Sequence, residues 1–503
     1  WWTVRDIVLN QKIATFELLE MASKNRPTIL HNAYLKAMRQ TERGREGDTR
    51  AYVIPADQHD PLTMQKMIGK LLGQGIEVQR APGEFVHEGK VYGAGSYVVS
   101  TAQPKRGVIR WLLGRTFYPQ NSYTRRPDGS PIRPYDMSGD VLAEFMGVRV
   151  DPASTMVQAD LDVVEAPTEA VGRVSAGAAG YRLSPRLNDS FHAVNLLLDQ
   201  GVAVRRLVRD EGDVPAGTFW VPEASEAAVT EVARTTGVDF QAMGAAAGDD
   251  AAPPLRRLRV GMYQAYGGNM DEGWTRLVLE QFAFPYTTLD AEAVAAGDLG
   301  ADYDLIILPE DDLDNMKGGE ADGGRYGTGP GIPPGFRSGF GDEGVEALRS
   351  FVRGGGTLVT FSGAGELALE ELDVPVRNVV EGVPNTEFWA YGSTLRVHVD
   401  TDQPLAWGMP ERALVVFFGD SQVYGVQAYG EGHRAERVAW YPEDDILQSG
   451  QLDGEDLIAD QPAMLDVEVG DGRVVLIGFR TQHRGQTHGT YKFLFNALMG
   501  AGG

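Results

Sequence analysis

The residues with the most chemical potential sit near the end of the chain. Arg480, His483, Arg484 and His488 fall between an apolar run, VVLIGF at 474–479, and a helical pattern, TYKFLFNAL at 490–498. Guanidinium and imidazole groups at the start of a helix suit a carboxylate or a phosphate. Acidic residues outnumber basic ones 70 to 46, so pairing of these cations with the chain's own carboxylates is the favoured reading. The two histidines are not three or four residues apart, so one helix cannot present them together to a metal. Other metal candidates are weaker. His433-Arg-Ala-Glu436 has the His-x-x-Glu spacing, but it lies in a polar, looped segment with the next histidine far along the chain. His59, between Asp57 and Asp60, reads as part of a polar turn. EDDLD at 310–314 lacks the glycine and closing glutamate of a calcium loop and reads as a solvated acidic turn. Trp220, Trp274, Trp389, Trp407 and Trp440, with Tyr263 and Tyr266, read as packing residues rather than as a sugar-binding platform.

Composition excludes several classes. A net charge of −24 argues against binding a phosphate backbone, which needs clustered Lys and Arg. No apolar run is long enough to cross a membrane as a helix. The absence of Cys removes disulfides, thiolate metal sites and thiol nucleophiles. With 503 residues, 43% of them hydrophobic, the chain supports about three cores.

The elements that must position these residues follow from periodicity. Val4, Ile7, Val8, Ala14, Leu18, Met21 and Ala22 recur at helical spacing, and a second helical pattern starts at Pro27. This stripe needs a partner surface, so the chain reads as the C-terminal part of a longer protein. AYVIP at 51–55 is a strand, and residues 61–73 are a helix with Asp60 near its cap. The order then repeats: Tyr52 to Asp60 and Tyr181 to Asp189 have equal separation, and AGSYVVS at 94–100 matches AGTFWVP at 216–222. Two similar α/β modules are expected. Asp60 and Asp189, at matching positions, are both read as helix caps. GAAAGDDAAPP at 244–254 reads as a linker. Beyond it, strands LRVGMYQA, FPYTTLD, DLIILPE and GGGTLVTFSG alternate with helices, the pattern of a parallel sheet covered on both faces. A Gly-rich stretch, 318–341, reads as an insertion and lacks the ending of a phosphate loop. The expected organisation is a helical segment at 1–45, modules at 46–165 and 166–245, and a parallel-sheet domain at 255–503, α/β throughout.

Several blocks carry a resemblance. WWTVRDIVLNQKIATFELLEMASKNR at the start, AYVIPADQHDP at 51–61, MDEGWTRLVLEQFAFPYTTLD at 270–290 and GRVVLIGFRTQHRGQTHGTYKFLFNAL at 472–498 resemble, in this order, the region after the catalytic centre in large bacterial zinc carboxypeptidases of the M14 family. The resemblance implies a helical remnant of the peptidase domain at the start, with the zinc ligands and catalytic Glu upstream. No cofactor is then expected in this chain, and zinc is expected in the missing domain. It also implies an upstream peptidase domain as partner, a peptide as the parent's substrate, a homo-oligomer as one arrangement, and a periplasmic or extracellular setting. The region 255–503 resembles the class I glutamine amidotransferase-like fold, which has flavodoxin-like topology. In active members a Cys occupies a strained turn after a central strand, with a His-Glu pair near the C-terminus. Here TLVTFSGAG places Ser362 in that turn, neither His483 nor His488 is followed by the partner Glu, and no Cys exists. The expected function is a non-catalytic C-terminal region that supports, oligomerises or shapes access to the peptidase. The alternatives are a binding module for peptide or glycan that uses Arg480, His483, His488 or Ser362, and, behind it, a Ser362-dependent hydrolase.

Overall fold

The computed structural model describes residues 1–168, 170–175, 179–222, 226–318, 339–427 and 434–500. The chain forms two compact units, one built from Trp1–Ala56, Lys70–Gly114 and Val150–Ala166, the other from Asp57–Gly69, Arg115–Arg149 and Pro167–Gly503. The segment 319–338, most of the Gly-rich stretch, and His433 of the His-x-x-Glu match lie outside the described residues.

The first unit opens with two helices. In α1 (Val4–Lys24) a capping box forms: the Thr3 hydroxyl accepts from the Asp6 N–H, and the Asp6 carboxylate accepts from the Thr3 N–H. α1 leaves Val4, Ile7, Val8, Leu9, Ile13, Phe16, Leu18, Leu19 and Met21 exposed. α2 (Arg26–Glu46) follows, with Pro27 in its first turn. Near its end Gly44 touches the backbone of Thr101, where a Cβ would lie 2.0 Å from the carbonyl oxygen, so no larger residue fits. Next come β1 (Ala51–Ile54) and α3 (Pro61–Gly73), the latter running from the second unit into the first at Lys70. β2 (Gln79–Arg80), the hairpin β3 (Phe85–His87) and β4 (Lys90–Tyr92), β5 (Tyr97–Ser100), α4 (Arg106–Leu113), β6 (Asp151–Ala153) and β7 (Asp162–Val163) complete the unit. Its antiparallel sheet runs β6-β1-β5-β2-β7, and Val53, Val98 and Ala153 are buried in its core.

The second unit contains α5 (Leu142–Met146) and then a small module: β8 (Tyr181–Leu183), α6 (Asn188–Asp199), β9 (Arg205–Arg206), β10 (Phe219–Val221), α7 (Glu226–Thr236) and β11 (Gln241–Ala242). Its sheet runs β11-β8-β10-β9. That order matches β6-β1-β5-β2, and in both sheets the central strand follows a glycine at positive φ, Gly95 or Gly217. Asp60 does cap α3: its carboxylate accepts from the Thr63 N–H at 3.0 Å and also from the Asn188 N–H at 3.0 Å. Asp189 does not act as a cap. It lies inside α6 and binds Lys66 Nζ with both oxygens at 2.7 Å. The stretch 244–254 does not hang free as a linker would. Ala251 and Ala252 are buried, and the Val208 and Arg206 N–H groups donate to Ala251 and Pro253.

The remainder is built on β12 (Val260–Tyr263), α8 (Met270–Gln281), β13 (Thr287–Leu289), α9 (Ala291–Ala295), α10 (Leu299–Asp302), β14 (Leu305–Leu308), α11 (Leu313–Lys317), α12 (Gly341–Arg353), β15 (Thr357–Phe361) and α13 (Gly365–Glu371). Then follow β16 (Val376–Asn378), β17 (Ser393–Val399), β18 (Arg412–Phe417), β19 (Tyr424–Val426), β20 (Ala435–Trp440), β21 (Leu447–Ser449), β22 (Pro462–Val469), β23 (Gly472–Ile477) and α14 (Tyr491–Leu498). Strands β13-β12-β14-β15-β23 are neighbours in that order and all parallel. Numbered within the domain this is 2-1-3-4-5, the flavodoxin-like arrangement. The fold class is therefore α/β. Beyond β23 the sheet continues antiparallel through β22-β20-β17-β18. Leu305, Ile306, Ile307 and Leu308 are all fully buried, as a parallel strand covered on both faces requires. One core joins the small module to the large sheet through α14, where Phe495 lies 5.4 Å from Phe191 and 4.8 Å from Phe282. Burying each such ring stabilises the unit by roughly 1.5–3 kcal/mol.

Candidate functional site

In an open parallel sheet, ligands are bound outside the carboxyl ends of the strands, near the point where the strand order reverses. Here that point lies between β12 and β14, and charged residues converge on it. Asp271 stands in the first turn of α8, after β12. Its helix is fixed by Asn269, whose side chain accepts from the Glu272 N–H at 2.7 Å and donates to the Glu310 carbonyl at 3.0 Å. Glu310 follows β14, Ser362 follows β15, and Arg480 follows β23.

Arg480 is the hub. One nitrogen, Nη1, lies 3.3 Å from Asp271 Oδ2, and Nη2 lies 3.3 Å from Glu310 Oε2 and also contacts Asp420. The guanidinium sits 4.6 Å from the Phe418 ring centre. Three carboxyl groups around one cation leave an excess of negative charge, and the cluster relieves it by holding a proton. Burial, with Asp420 alongside, pushes the Glu310 carboxyl up to about 10. Burial also raises Asp271, to about 6, against the pull of Arg480. Burial would raise Asp420 as well, but Arg480 and a hydrogen bond from Glu310 hold it below its ordinary value. At neutral pH the pair therefore consists of a protonated Glu310 and an ionised Asp420. Arg480 itself is raised, because the three carboxyl groups outweigh its own burial.

Ser362 occupies a strained turn. Its φ is +47°, it is fully buried, and its Oγ has no hydrogen-bond partner among the described residues. The next residue, Gly363, abuts the charged cluster: a Cβ there would lie 3.3 Å from the Asp311 carbonyl, 3.7 Å from Glu310 Oε1 and 3.8 Å from the Asp420 carbonyl. The turn thus has the form of a nucleophile elbow, but among the described residues no base touches the hydroxyl.

The histidines do not supply that base. His483, 1% exposed, is packed between Trp274 and Phe418, each 5.0 Å away, and Phe145. Neither ring nitrogen has a partner among the described residues, and burial with Arg480 and Arg484 nearby pushes the imidazole down to about 3. It is neutral at physiological pH. His488 makes a different set of contacts, stacking 4.8 Å from Tyr491 with Nδ1 at 2.8 Å from the Gln486 carbonyl. Arg484 pairs with Asp136. So the structure brings Arg480, His483 and the Ser362 turn into one region through Phe418 and Glu310, and puts His488 among other partners. Thr490 Oγ1 donates to the Thr481 and Thr487 carbonyls.

Sequence reasoning missed Asp271, Glu310 and Asp420. EDDLD is not a solvated turn: Glu310 is tied to Arg480, and Asp311, raised by burial, accepts from the Asp312 N–H and Asn315 Nδ2. The available signal was position, because Glu310 directly follows a buried parallel strand. For metals, Glu366, Glu370 and Glu381 form the grouping with ligand atoms in mutual reach among the described residues. All three are carboxylates with no histidine among them, which does not fit the His-Glu-His zinc of a carboxypeptidase. No zinc step is assigned to this chain.

No family model matches the sequence, and no curated protein matches it. Among solved structures, a cytoplasmic protein of Salmonella typhimurium is 12% identical, covers 48% of this chain and 99% of its own, and superposes with a TM-score of 0.30. A ThuA-like protein of Bacteroides uniformis is 10% identical and covers 51% of this chain and 93% of its own, at a TM-score of 0.28. A β-galactosidase of Bacillus circulans is 14% identical and covers 58% of this chain but 37% of its own, at 0.26. Likeness at this level carries no functional argument.

Proposed function

We propose that this chain is the non-catalytic C-terminal region of an M14-like zinc metallocarboxypeptidase, with its parallel-sheet domain a non-hydrolytic relative of the class I glutamine amidotransferases. The observation that carries this reading is the exposed apolar surface of α1. Val4 is 76% and Phe16 61% exposed, on different sides of the helix. A helix that is apolar on several sides belongs inside a larger assembly. In this reading the peptidase domain covers α1, holds the zinc, and removes C-terminal residues from peptides. The region described here supports that domain or shapes its substrate access.

The site agrees with a supporting role. Catalysis by Ser362 needs a base within hydrogen-bond reach. Its hydroxyl has none among the described residues, and His483 is held neutral without a partner. Arg480 is already neutralised by Asp271 and Asp420. The test compares this chain with the full product of its gene in zinc-dependent release of C-terminal amino acids from a peptide panel. The full product should release them and the chain alone should not. Zinc-dependent release by the chain alone, or a gene that encodes no His-x-x-Glu and later His upstream, would overturn the reading.

A further inference from the structure

From Arg115 to Val141 the chain forms neither helix nor strand. An irregular run this long is uncommon in a compact unit, and an ordered one is usually functional. This one is tied down. The Tyr118 N–H donates to the Gly450 carbonyl at 2.9 Å, the Gly450 N–H to the Thr116 carbonyl at 2.7 Å, and Arg125 Nη2 pairs with Asp453 at 2.7 Å. Its outward residues are large rings and cations. Phe117 is 58% and Tyr123 89% exposed, and Tyr135 is wholly so. Residues 115–135 hold four arginines against one acid, Asp128, in a chain of net charge −24. Arg115, Arg126 and Arg133 are exposed, and none of them pairs with a carboxylate among the described residues. Arg126 Nη1 donates to Ser130 Oγ and the Pro131 carbonyl, and Arg115 Nη2 to the Leu447 carbonyl. Arg133 rests 4.5 Å from the centre of the Tyr391 ring.

Tyr and Arg are what protein interfaces bury at their centres, whereas Lys and Glu, both absent from 115–135, are depleted there. Covering three such rings supplies roughly half of the about 800 Å² that each side of a stable interface buries. The charge of the loop decides what covers it: a positive surface asks for an acidic one. The same molecule carries an acidic surface with the opposite need. One carboxyl oxygen from each of Glu366, Glu370 and Glu381 lies within 4.8 Å of the others. Burial raises the Glu366 carboxyl, and Glu370, Glu381, Asp312 and Asp314 raise it further by repulsion. Both patches border the segment 418–422. Phe418 lies 5.4 Å from Tyr391, the ring beneath Arg133, and Gly365, one residue before Glu366, packs against the Gln422 side chain.

We infer that the loop at 115–135 is an interface for a second copy of this chain, and that its exposed arginines dock on the Glu366, Glu370 and Glu381 surface of that copy. Because both patches border one segment, a two-fold axis can set each loop on the other copy's acids, and two equivalent contacts then close the pair. Phe117, Tyr123 and Tyr135 supply buried area, and the charges supply register and association rate. The pairing is independent of the peptidase reading above, because it uses no residue of α1.

The test is analytical ultracentrifugation of the chain carrying Ile13→Glu and Phe16→Glu, so that the apolar residues of α1 do not contribute. It should dimerise in about 0.05 M NaCl, and the dimer should be at least about tenfold weaker in about 0.5 M NaCl, where exposed charges are screened. Arg126→Glu with Arg133→Glu should leave a monomer, and so, separately, should Glu366→Lys with Glu370→Lys and Glu381→Lys. An equimolar mixture of the two reversed chains should dimerise again, because each loop then meets a patch of opposite sign, which misfolded chains would not achieve. A chain that stays monomeric in low salt would overturn the pairing and leave an acidic surface of a different protein as the loop's partner. A dimer indifferent to salt, reversed chains that still dimerise alone, or a mixture that stays monomeric would overturn it as well.

Discussion

Glu310→Gln should stabilise the protein at neutral pH, against the usual expectation for removing an ion-paired acid. In the unfolded chain Glu310 ionises at its ordinary value of 4.5, and in the folded chain at about 10. Between those values the unfolded state holds fewer protons than the native state, so stability falls as pH rises. Below 4.5 both states are protonated and the penalty is absent. It then grows by about 1.4 kcal/mol per pH unit. At pH 7, which is 2.5 units above 4.5, holding the proton costs about 3 kcal/mol. That figure is a ceiling, because Glu310 and Asp420 titrate as a pair. A glutamine at 310 has the shape of the protonated acid, can donate to Asp420 and accept from Arg480, and bears no such cost. Urea unfolding of parent and variant between pH 5 and pH 8 tests this, with the gain expected below about 1 kcal/mol at pH 5 and rising with pH. A variant less stable than the parent at pH 7, or a difference that does not change with pH, would show that Glu310 is ionised in the folded chain and sink the argument.

Other outcomes follow from the same structure. Arg480→Met leaves its carboxyl partners buried without their cation and should cost about 3–5 kcal/mol at pH 7 by denaturation, with a smaller loss at pH 5, where Asp271 takes up a proton. Ser362→Gly relieves a positive φ and should raise stability by about 1 kcal/mol. A fluorophosphonate probe should label neither that variant nor the parent, and labelling of the parent at Ser362 would contradict the absence of a base. Lys66→Met strips Asp189 of its cation and should destabilise by about 1–3 kcal/mol, a range lowered for the partial exposure of Lys66. Ile13→Glu with Phe16→Glu should leave the thermal transition of the chain unchanged while reducing its self-association in analytical ultracentrifugation, because both side chains are exposed.

Much of this was legible in the sequence, and the rest had physical reasons for being hidden. Alternating apolar strands and helices after residue 255 announced the parallel sheet, because burial on both faces forces continuous apolar runs such as LIIL at 305–308. The strand order was not legible, since neighbours such as β15 and β23 are set by register between distant segments. The duplicated module showed through its matched strands and spacing, but the matched aspartates diverged. Asp60 caps a helix, whereas Asp189 faces Lys66, and sequence position cannot say which partner lies opposite. Small polar residues at 244–254 resemble a linker until Ala252 finds an apolar wall of Leu207, Val214 and Trp220. The carboxyl groups around Arg480 come from three separate segments, so no local spacing could group them.

The position of β23 bears on how the protein is made. It is the last of the sheet's strands to leave the ribosome, yet it sits between β15 and β22, parallel to one and antiparallel to the other. Until Gly472–Ile477 emerges, β15 and β22 each present an unpaired edge, and the wait between β15 and β23 is on the order of ten seconds at ordinary translation speeds. Open edges of apolar strands recruit other chains. The nascent polypeptide is thus most in need of chaperone protection late in synthesis, and stalled or truncated products ending before residue 472 should aggregate where the finished chain does not.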